Sequence, residues 1–511
     1  MVEKDFLSIM SKIKIIGAGL AGCEAALQLA DADWKVTLFE MRPVQTTPAH
    51  ETDKFAEIVC SNSFKSKLIT TASGLLKEEM KLLGCKLLPI AEKCSVPAGN
   101  ALAVDRDRFS ELVTRKICDH PNIEVIRNEV TEINDELTVI ATGPLTSAKL
   151  TKNLINLIGE EQLYFFDAIA PIVDAESIDY DIVYRKTRYD KGEADYLNCP
   201  FSKDEYYDFV EALNDGEKHT AHEFEAEFFA NIKFQFYANC TPIEELARRG
   251  NETLRYGVMR PVGLEDPKTD RRPFAVIQLR TENNDNTSYN LVGCQTMMKY
   301  GDQKKILRMI PGLQNAEFLR FGSIHRNTYL NGPQILNPDL TLKVKPNIFI
   351  AGQLAGVEGY VESILGGLLV ARSVAQTSCL RIGETGVSRV NYVTKENFGN
   401  KKEIPKEDFG NEKQQGTEKD SPGKNLFAAS HVSSIATQKV REGMAGVSLE
   451  YLPETTISGQ LLKHLISPVE NFQPMNANFG LLPALPDRIR DKKLKKQMLA
   501  ERSLEDLKKI L

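Results

Sequence analysis

The stretch KIKIIGAGLAG, residues 12–22, decides the fold that this sequence predicts. Its first five residues are an apolar run typical of a strand, and the pattern G-x-G-x-x-G follows, formed by Gly17, Ala18, Gly19, Leu20, Ala21 and Gly22. A helical stretch comes next, and a second strand, Lys35–Phe39, ends at Glu40. This order of strand, glycine turn, helix, strand and acid is typical of a β-α-β unit that binds a dinucleotide.

Each glycine has a physical role in such a turn. Gly17 allows the tight turn, Gly19 lets a pyrophosphate approach the backbone, and Gly22 lets the helix pack closely on the strand. The phosphates then lie at a helix N-terminus, where free N–H groups and the helix dipole favour anions. Glu40 is placed to accept hydrogen bonds from a ribose. The motif by itself leaves both NAD and FAD open.

Two later segments favour FAD. Leu137–Gly143 has the pattern of a strand that ends in Thr-Gly, as in two-dinucleotide-type flavoproteins. Pro346–Gln353 has the pattern of a buried strand that enters a glycine turn, before a small-residue helix predicted from Ser363 to Val370. A flavin domain assembled from both ends of a chain commonly closes in this way. The residues expected at the flavin on this side are Gly352, Gln353, Val357, Glu358 and Gly359.

The predicted fold class is α/β, a Rossmann-type FAD-binding domain of the two-dinucleotide-binding type with an inserted α+β domain. Residues 1–180 and 321–382 are predicted to form the two parts of the FAD-binding domain. Residues 181–320, richer in aromatics and in strand-like runs, are predicted to form an inserted substrate or RNA domain. Residues 383–446 turn sharply polar and are expected to be a disordered insertion. Residues 447–511 are expected to contain a basic helix with Lys492, Lys493, Lys495 and Lys496.

Composition narrows the class of protein further. The net charge of −6 argues against a general polyanion binder, although a local basic face would be averaged away in that total. No run of about 18 apolar residues is present, so no membrane span is expected. The nine cysteines include no CxxC pair, so no metal site is expected. Their odd number, in a chain whose N-terminus lacks a signal-peptide pattern, indicates reduced thiols and a cytoplasmic protein.

Three side chains outside the cofactor motifs are candidates for chemistry. Cys60 follows the glycine turn in sequence and precedes small polar residues and a lysine. Cys240 comes just before a predicted helix in whose first turn Pro242 fits, and a thiol at a helix N-terminus has a lowered pKa. His325 is one of seven histidines. Buried inert thiols and a structural histidine are the alternatives at these positions.

With these residues in place, nearly the whole sequence resembles the folate- and FAD-dependent tRNA uridine-5-methyltransferases, the TrmFO family. The polar stretch 383–446 is longer than the family pattern and leaves its own role open. The segments that carry the resemblance are 17–22, 40–43 (with Arg42 as a further cofactor residue), 46–50, 59–63, 96–99, 103–106, 189–193, 260–267, 324–328, 352–362 and 474–483.

The resemblance implies methylation of uridine C5 in tRNA, at uridine 54 of the T-loop. Methylenetetrahydrofolate would donate the carbon, and FAD reduced by NADH or NADPH would supply the reducing equivalents. A thiolate adds at uracil C6, and a second group removes the C5 proton. The resemblance implies Cys240 as the nucleophile and Cys60 as the base, with the two roles exchangeable. It implies that His325 holds the folate pterin against the isoalloxazine ring.

Four other interpretations stay open on the sequence. The same reaction could act on a ribosomal RNA uridine, since paralogues of the family do so. The chain could be the related flavoprotein that modifies the tRNA wobble uridine, although the C-terminal helical pattern of that protein is missing. A flavoprotein that binds folate or RNA without turnover would leave the two thiols unused. A flavin reductase of a small metabolite would leave the second cysteine and the basic tail unexplained. The sequence does not give the oligomeric state.

Overall fold

The computed structural model describes residues 12–47, 49–159, 163–190, 194–218, 241–384, 449, 452–470 and 472–511. For 163–168, 324–326 and 377–384 it describes the backbone alone. Cys240 and residues 385–446 of the predicted insertion lie outside the described residues.

The described elements are numbered here in chain order. The strands are β1 Lys12–Ile16, β2 Lys35–Glu40, β3 Ser63–Ser66, β4 Ser95–Val96, β5 Ala101–Val104, β6 Ile123–Arg127, β7 Thr138–Ile140, β8 Leu163–Ala168, β9 Ile172–Asp174, β10 Tyr184–Arg185, β11 Tyr196–Phe201, β12 Ala275–Thr281, β13 Ser288–Val292, β14 Phe318–Arg320, β15 Ile324–Tyr329, β16 Thr341–Leu342 and β17 Lys345–Ile350. The α-helices are α1 Leu20–Asp31, α2 Ala72–Leu82, α3 Leu87–Lys93, α4 Arg106–Cys118, α5 Ala148–Ile158, α6 Lys203–Asp215, α7 Ile243–Ala247, α8 Thr253–Tyr256, α9 Tyr300–Leu307, α10 Gly332–Ile335, α11 Tyr360–Glu384, α12 Ile457–Ile466 and α13 Lys492–Ile510.

A six-stranded sheet in the order β16-β17-β7-β1-β2-β6 carries the predicted β-α-β unit. All its neighbouring strands are parallel except β16 and β17. Its central register aligns Leu38, Ile15, Val139 and Phe349, all fully buried. Such apolar strands suit a parallel sheet because helices cover both of its faces. The Rossmann-type fold predicted from residues 12–22 is confirmed.

Helix α11 is longer than the sequence analysis predicted. It runs from Tyr360 to Glu384, whereas the prediction covered only Ser363 to Val370. The extension follows from the buried apolar residues Val374 and Ala375 one turn beyond the predicted end, since burial there supports further helical turns. Helix α11 packs along α1, and the contact is close because Gly367 lies against the backbone of Ala21.

A second six-stranded sheet, with antiparallel pairing, has the order β10-β11-β12-β13-β9-β14. Its own core contains the buried aromatics Phe201, Tyr206, Phe209 and Tyr289. Together with helices α6 and α9 this sheet forms the inserted α+β part of the predicted fold class. The numerical domain boundaries stay predictions.

The C-terminal helices attach to the first core through one buried carboxylate. Glu79 of α2 accepts hydrogen bonds from the backbone N–H groups of Ile457 and Ser458, at 2.9 and 2.8 Å, and from the Ser503 hydroxyl. Burial raises the pKa of Glu79, and the hydrogen bonds from Ser503 and Ser458 oppose that rise. The carboxylate thus joins the start of α12 and the buried face of α13 to the flavin-domain core.

None of the described helices combines the length and the apolar content that crossing a membrane requires.

Replacing Glu79 with alanine should destabilise the fold. Three buried donors would lose their acceptor, and each unsatisfied group costs about 1–3 kcal/mol. We expect the free energy of unfolding to fall by about 3 kcal/mol or more, as measured by denaturant unfolding. Glu78→Ala is the matched control, because its half-exposed carboxylate bonds only to Lys81 among the described residues. Equal stabilities of the two variants would show that Glu79 does not hold the C-terminal helices.

Candidate functional site

The glycine turn after β1 lies where parallel strands end. The N–H of Gly17 donates to the carbonyl of Phe39 at 2.8 Å, and Ala141 N–H donates to Ile16 at 2.8 Å. Gly17 has a φ of +100°, and a Cβ there would lie 2.7 Å from the Ala141 carbonyl oxygen. A Cβ on Gly22 would overlap the Gly17 carbonyl oxygen. Both positions therefore require glycine for the close packing that the sequence pattern predicts.

Gly19 differs from the other two glycines of the turn. It is the N-cap residue of α1 and has no side chain that could bond to the first-turn N–H groups. A Cβ built on Gly19 would meet no described heavy atom within 4 Å. The helix start thus faces open space with backbone donors, which is the arrangement that a pyrophosphate requires. The observed turn fits a dinucleotide at the predicted position.

The carboxylate of Glu40, at the end of β2, accepts hydrogen bonds from other residues of the chain. One Glu40 oxygen accepts the Ala18 N–H at 3.0 Å, and the other accepts Nε of Arg42 at 2.9 Å. Burial would raise the pKa of Glu40, but Arg42 lowers it below its ordinary value, so the carboxylate stays ionised. Nη1 of Arg42 also bonds to Glu57 at 2.8 Å. A hydrogen bond from a ribose to Glu40 and a cofactor-binding role for Arg42 remain predictions.

The five residues predicted from the second half lie on one loop before α11. Gly352 has a φ of +70°, and a Cβ there would lie 2.7 Å from the Ala21 Cβ, so this loop touches the start of α1. The Gln353 side chain donates to Glu358 at 2.6 Å, and Val357 is buried. The structure therefore brings the loop 352–359 to the glycine turn.

Gly359 completes this loop with a φ of +114°. A Cβ there would overlap Oε2 of Glu362, a fully buried oxygen that has no hydrogen-bond partner among the described residues. Oε1 of Glu362 bonds to Lys65 at 3.2 Å and to Ala477 N–H at 3.0 Å. An orphaned acceptor at this loop fits a site that a bound group completes.

Cys60 lies at the same place, on the loop before β3. Its N–H donates to the Tyr360 hydroxyl at 2.8 Å, and Tyr360 is the first residue of α11. The Cys60 side chain is partly exposed. The predicted catalytic thiol thus borders the predicted flavin loop, although 300 residues separate it from Tyr360 in sequence.

Arg106 holds the backbone of the Cys60 loop in place. Its guanidinium donates to the carbonyls of Ile58 and Cys60, at 2.8 and 3.0 Å, and pairs with Glu282. Burial lowers the pKa of the Arg106 guanidinium, but Glu282, together with Tyr360 and Cys60, raises that pKa above its ordinary value, so the side chain stays cationic. Because Glu282 follows β12, the second sheet supplies the counter-charge of this clamp.

Asn62 adds a second link to that sheet. Its amide donates to the Thr281 carbonyl at 3.0 Å and accepts from Arg280 at 2.7 Å. Sequence reasoning gave Arg106, Asn62 and Tyr360 no individual roles, although all three lie in segments that carry the family resemblance. Their partners are too distant in sequence for any local pattern to reveal.

The other two candidates are described only in part. His325 lies on β15, paired with Asp167 of β8, and its side chain is outside the described residues. Cys240 is outside them altogether. The helix predicted after Cys240 is present as Ile243–Ala247, but Pro242 is its N-cap residue and not part of its first turn. The placement of Pro242 in the first turn was wrong, because its backbone is extended and the helix begins one residue later. A helix of one turn also has only a small dipole, so it would lower the pKa of a thiol at its start very little.

Among the other described thiols, the buried ones are poorly reactive. Burial raises the pKa of the Cys23, Cys85 and Cys199 thiols above the ordinary value, and that of Cys294 to about 12. In the described part of the chain no group of three or more His, Cys, Asp or Glu side chains could hold a metal ion.

Comparisons with known proteins agree with this geometry. The model of the family described as glucose inhibited division protein A matches residues 12–379. The structure of Aquifex aeolicus GidA in its form II crystal superposes with a TM-score of 0.54 at 16% identity, covering 72% of this chain and 63% of that chain. At that identity the likeness shows the fold alone. The class is therefore that of GidA-type proteins.

Curated relatives narrow the class. The methylenetetrahydrofolate–tRNA-(uracil-5-)-methyltransferase TrmFO of Halalkalibacterium halodurans is 45% identical over 496 residues, covering 97% of each chain. The protein of the same name from Koribacter versatilis is 47% identical over 502 residues, again covering 97% of each chain. The chain belongs to the glucose inhibited division protein A family and, within it, to the TrmFO family.

Gly19→Val should remove bound FAD and keep the fold, because its side chain would enter the open space at the start of α1. Flavin absorbance per protein should fall to a small fraction of stoichiometric, and the melting temperature should match that of wild type stripped of FAD. Gly22→Val is the contrasting variant, and it should also unfold more easily because of its overlap with Gly17. Stoichiometric flavin in Gly19→Val would place the cofactor elsewhere.

Arg106→Met should loosen the Cys60 loop. Hydrogen bonds from a charged group are each worth about 1.5–3 kcal/mol, so alkylation of Cys60 should accelerate on the order of tenfold. Peptide mass spectrometry after timed iodoacetamide treatment measures this rate against the exposed Cys118 in the same sample. Arg108→Met, an exposed change on the same helix, should alter neither rate. An unchanged Cys60 rate in Arg106→Met would contradict the clamp.

Proposed function

We propose that this chain is an FAD-dependent enzyme that methylates uridine C5 in tRNA, with methylenetetrahydrofolate as carbon donor and NADH or NADPH as reductant. The observation that carries the proposal is the position of Cys60, a partly exposed thiol beside the loop 352–359 and the start of α11. The relatives named as tRNA-(uracil-5-)-methyltransferases, which align with nearly the full chain, support the same activity.

The chain offers a consistent set of contacts for FAD. The backbone at Gly17–Gly22 would bind the pyrophosphate, and Glu40 with Arg42 would face the ribose. The loop Gly352–Gly359, with its orphaned Glu362 oxygen, would meet the ring system. FAD, when bound, supplies the reducing equivalents that complete the methyl group.

The two cysteines divide the covalent chemistry. A thiolate adds to uracil C6 and makes C5 nucleophilic, and C5 then bonds to the carbon donated by methylenetetrahydrofolate. A second group takes the C5 proton as the thiolate leaves C6. We assign the addition to Cys240 and the proton transfer to Cys60, and the reverse assignment uses the same groups. Arg106 and Tyr360 hold the Cys60 backbone on both sides, so the thiol is positioned before substrate arrives. His325 is proposed to contact the folate pterin.

The proposed RNA is tRNA and not ribosomal RNA, since the relatives bear tRNA in their names. The start of α13 would contact its phosphates, because the four lysines between 492 and 496 are exposed. Lys496 lies 5.9 Å from the ring centre of Phe479. The segment before Phe479 pairs with the flavin loop, since Met475 bonds to both Gly356 and Glu358. These contacts connect the lysines at the start of α13 to the loop proposed to bind the flavin.

The domain division belongs to the same proposal. Residues 1–180 and 321–382 would bind FAD, residues 181–320 would lie over it, and 447–511 would carry the basic helix. The proposed compartment is the cytoplasm, in keeping with the seven free thiols among the described cysteines.

Cys60→Ala and Cys240→Ala should each lower tRNA methylation by at least about a hundredfold, because the first removes the proposed acid–base group and the second the proposed nucleophile. The assay is transfer of labelled carbon from methylenetetrahydrofolate to a tRNA transcript with NADPH present, and flavin content is checked by absorbance. Cys118→Ala is the matched control because Cys118 is exposed and lies at the opposite end of α4 from Arg106. Normal turnover in either active-site variant would remove that cysteine from the mechanism.

A further inference from the structure

Three aromatic rings form a continuous stack on the edge of the second sheet. The rings of Tyr300 and Phe321 lie 5.2 Å apart with an interplanar angle of 29°. Those of Phe321 and Phe318 lie 5.2 Å apart at 20°. Tyr300 is 58% exposed, whereas Tyr206 of α6 and Tyr289 of β13, which belong to the core beside this sheet, are fully buried. Tyr300 therefore presents aromatic surface at one end of the stack, whereas Phe318 at the other end packs against the core of the second sheet.

Buried hydrogen bonds hold this stack in place. Gln303 of α9 is fully buried, and its amide nitrogen donates to the carbonyls of Met298 and Gly322 at 2.7 and 2.8 Å. Its amide oxygen accepts the Gly322 N–H at 2.8 Å. The helix that begins at Tyr300 is thus joined to the residue that follows Phe321. The ring positions are set before any partner binds.

The stack lies next to two segments that lead to proposed active-site residues, the segment after Cys240 and the strand that carries His325. Ile243 N–H bonds to the Gln295 carbonyl at 2.7 Å, and Met297 N–H bonds to Glu244 at 2.7 Å, so the segment after Cys240 is fixed just before Tyr300. On the other side, Ile169 N–H bonds to Ser323 at 2.8 Å. Strand β15, which carries His325, begins at the next residue.

The charge beside the stack is positive on balance, although the exposed acid Glu317 directly precedes Phe318. Lys304 and Lys305 of α9 are exposed, and Arg308 follows one turn later. The helix's acidic residue, Asp302, accepts the Glu217 N–H at 2.6 Å. Flat aromatic faces beside exposed cations are the combination that binds unpaired nucleotides, because bases stack on rings and phosphates meet lysines.

We propose that the Tyr300–Phe321–Phe318 stack binds an unpaired tRNA base next to the target uridine. This inference rests on the proposed function. A uridine that reaches a buried flavin must leave the base stack of its loop, and its neighbour then loses a stacking partner. Tyr300 replaces that partner, and Lys304 and Lys305 contact the adjoining phosphates. The stack thereby stabilises the opened loop and leaves the uridine free to enter the site beside the Cys60 loop.

Equilibrium binding of an unmodified tRNA transcript tests the proposal, with methylation by wild type measured in parallel. Tyr300→Ala should weaken binding about tenfold, within the range measured for base–aromatic stacking. Tyr300→Phe should restore most of that affinity because the ring is kept. Tyr256→Ala is the matched control, since Tyr256 is 72% exposed and the guanidinium of Arg255 lies over its ring.

The salt dependence separates stacking from charge. Tyr300→Ala should leave the slope of log affinity against log salt unchanged, because a ring neutralises no phosphate. The double change Lys304→Ser and Lys305→Ser should lower that slope by about 0.7–0.9 for each phosphate that these lysines neutralise. Unchanged affinity in Tyr300→Ala with active wild type would overturn the stacking proposal and leave the proposed function intact. Altered oligomeric state with unchanged tRNA affinity would overturn it in favour of a subunit interface. Wild type that neither binds nor methylates tRNA would overturn both.

Discussion

Close approach of backbones at one edge of the parallel sheet is the constraint on which the rest of this structure depends. The loops after β1, β7 and β17 meet there, and Gly17, Gly22 and Gly352 leave no room for side chains between them. Gly367 lets α11 lie against the start of α1 at the same edge. Backbone donors consequently face outward around Gly19. The Cys60 loop contacts this edge through the hydrogen bond from its Cys60 N–H to Tyr360. The packing of α11 against α1 therefore determines where the Cys60 thiol lies.

Buried carboxylates extend that organisation to distant parts of the chain. Glu24 accepts the backbone N–H groups of Lys86 and Leu87, and Glu79 accepts those at the start of α12. Glu362 accepts Ala477 N–H, and Glu282 pairs with Arg106. An acid at a helix start satisfies donors and complements the helix dipole. Each of these acids joins segments far apart in sequence, and Glu282 reaches the Cys60 loop through Arg106.

The sequence predicts what depends on near neighbours. The Lys12–Ile16 strand and the glycine turn could be predicted because the apolar run, the glycine spacing and the acid at the end of the second strand all lie within about thirty residues. The predicted helix at Ser363–Val370 was too short, because the C-terminal end of α11 is determined by tertiary burial and not by a local sequence signal. Pro242 was predicted inside the first turn of its helix but precedes it by one residue. Arg106, Glu282 and Met475 received no roles, since their partners are fixed by tertiary packing. The roles of Cys60, Cys240 and His325 came from family resemblance, and the structure adds a setting for Cys60 alone.

Methylation of uridine C5 in tRNA is best tested by nucleoside mass spectrometry of separated tRNA and ribosomal RNA, from cells that lack this chain and from cells complemented with it. We expect 5-methyluridine to disappear from tRNA, to stay at its normal level in ribosomal RNA, and to return on complementation with the wild-type chain but not with Cys60→Ala. Unchanged 5-methyluridine in tRNA, or its loss from ribosomal RNA alone, would show that this chain does not methylate tRNA.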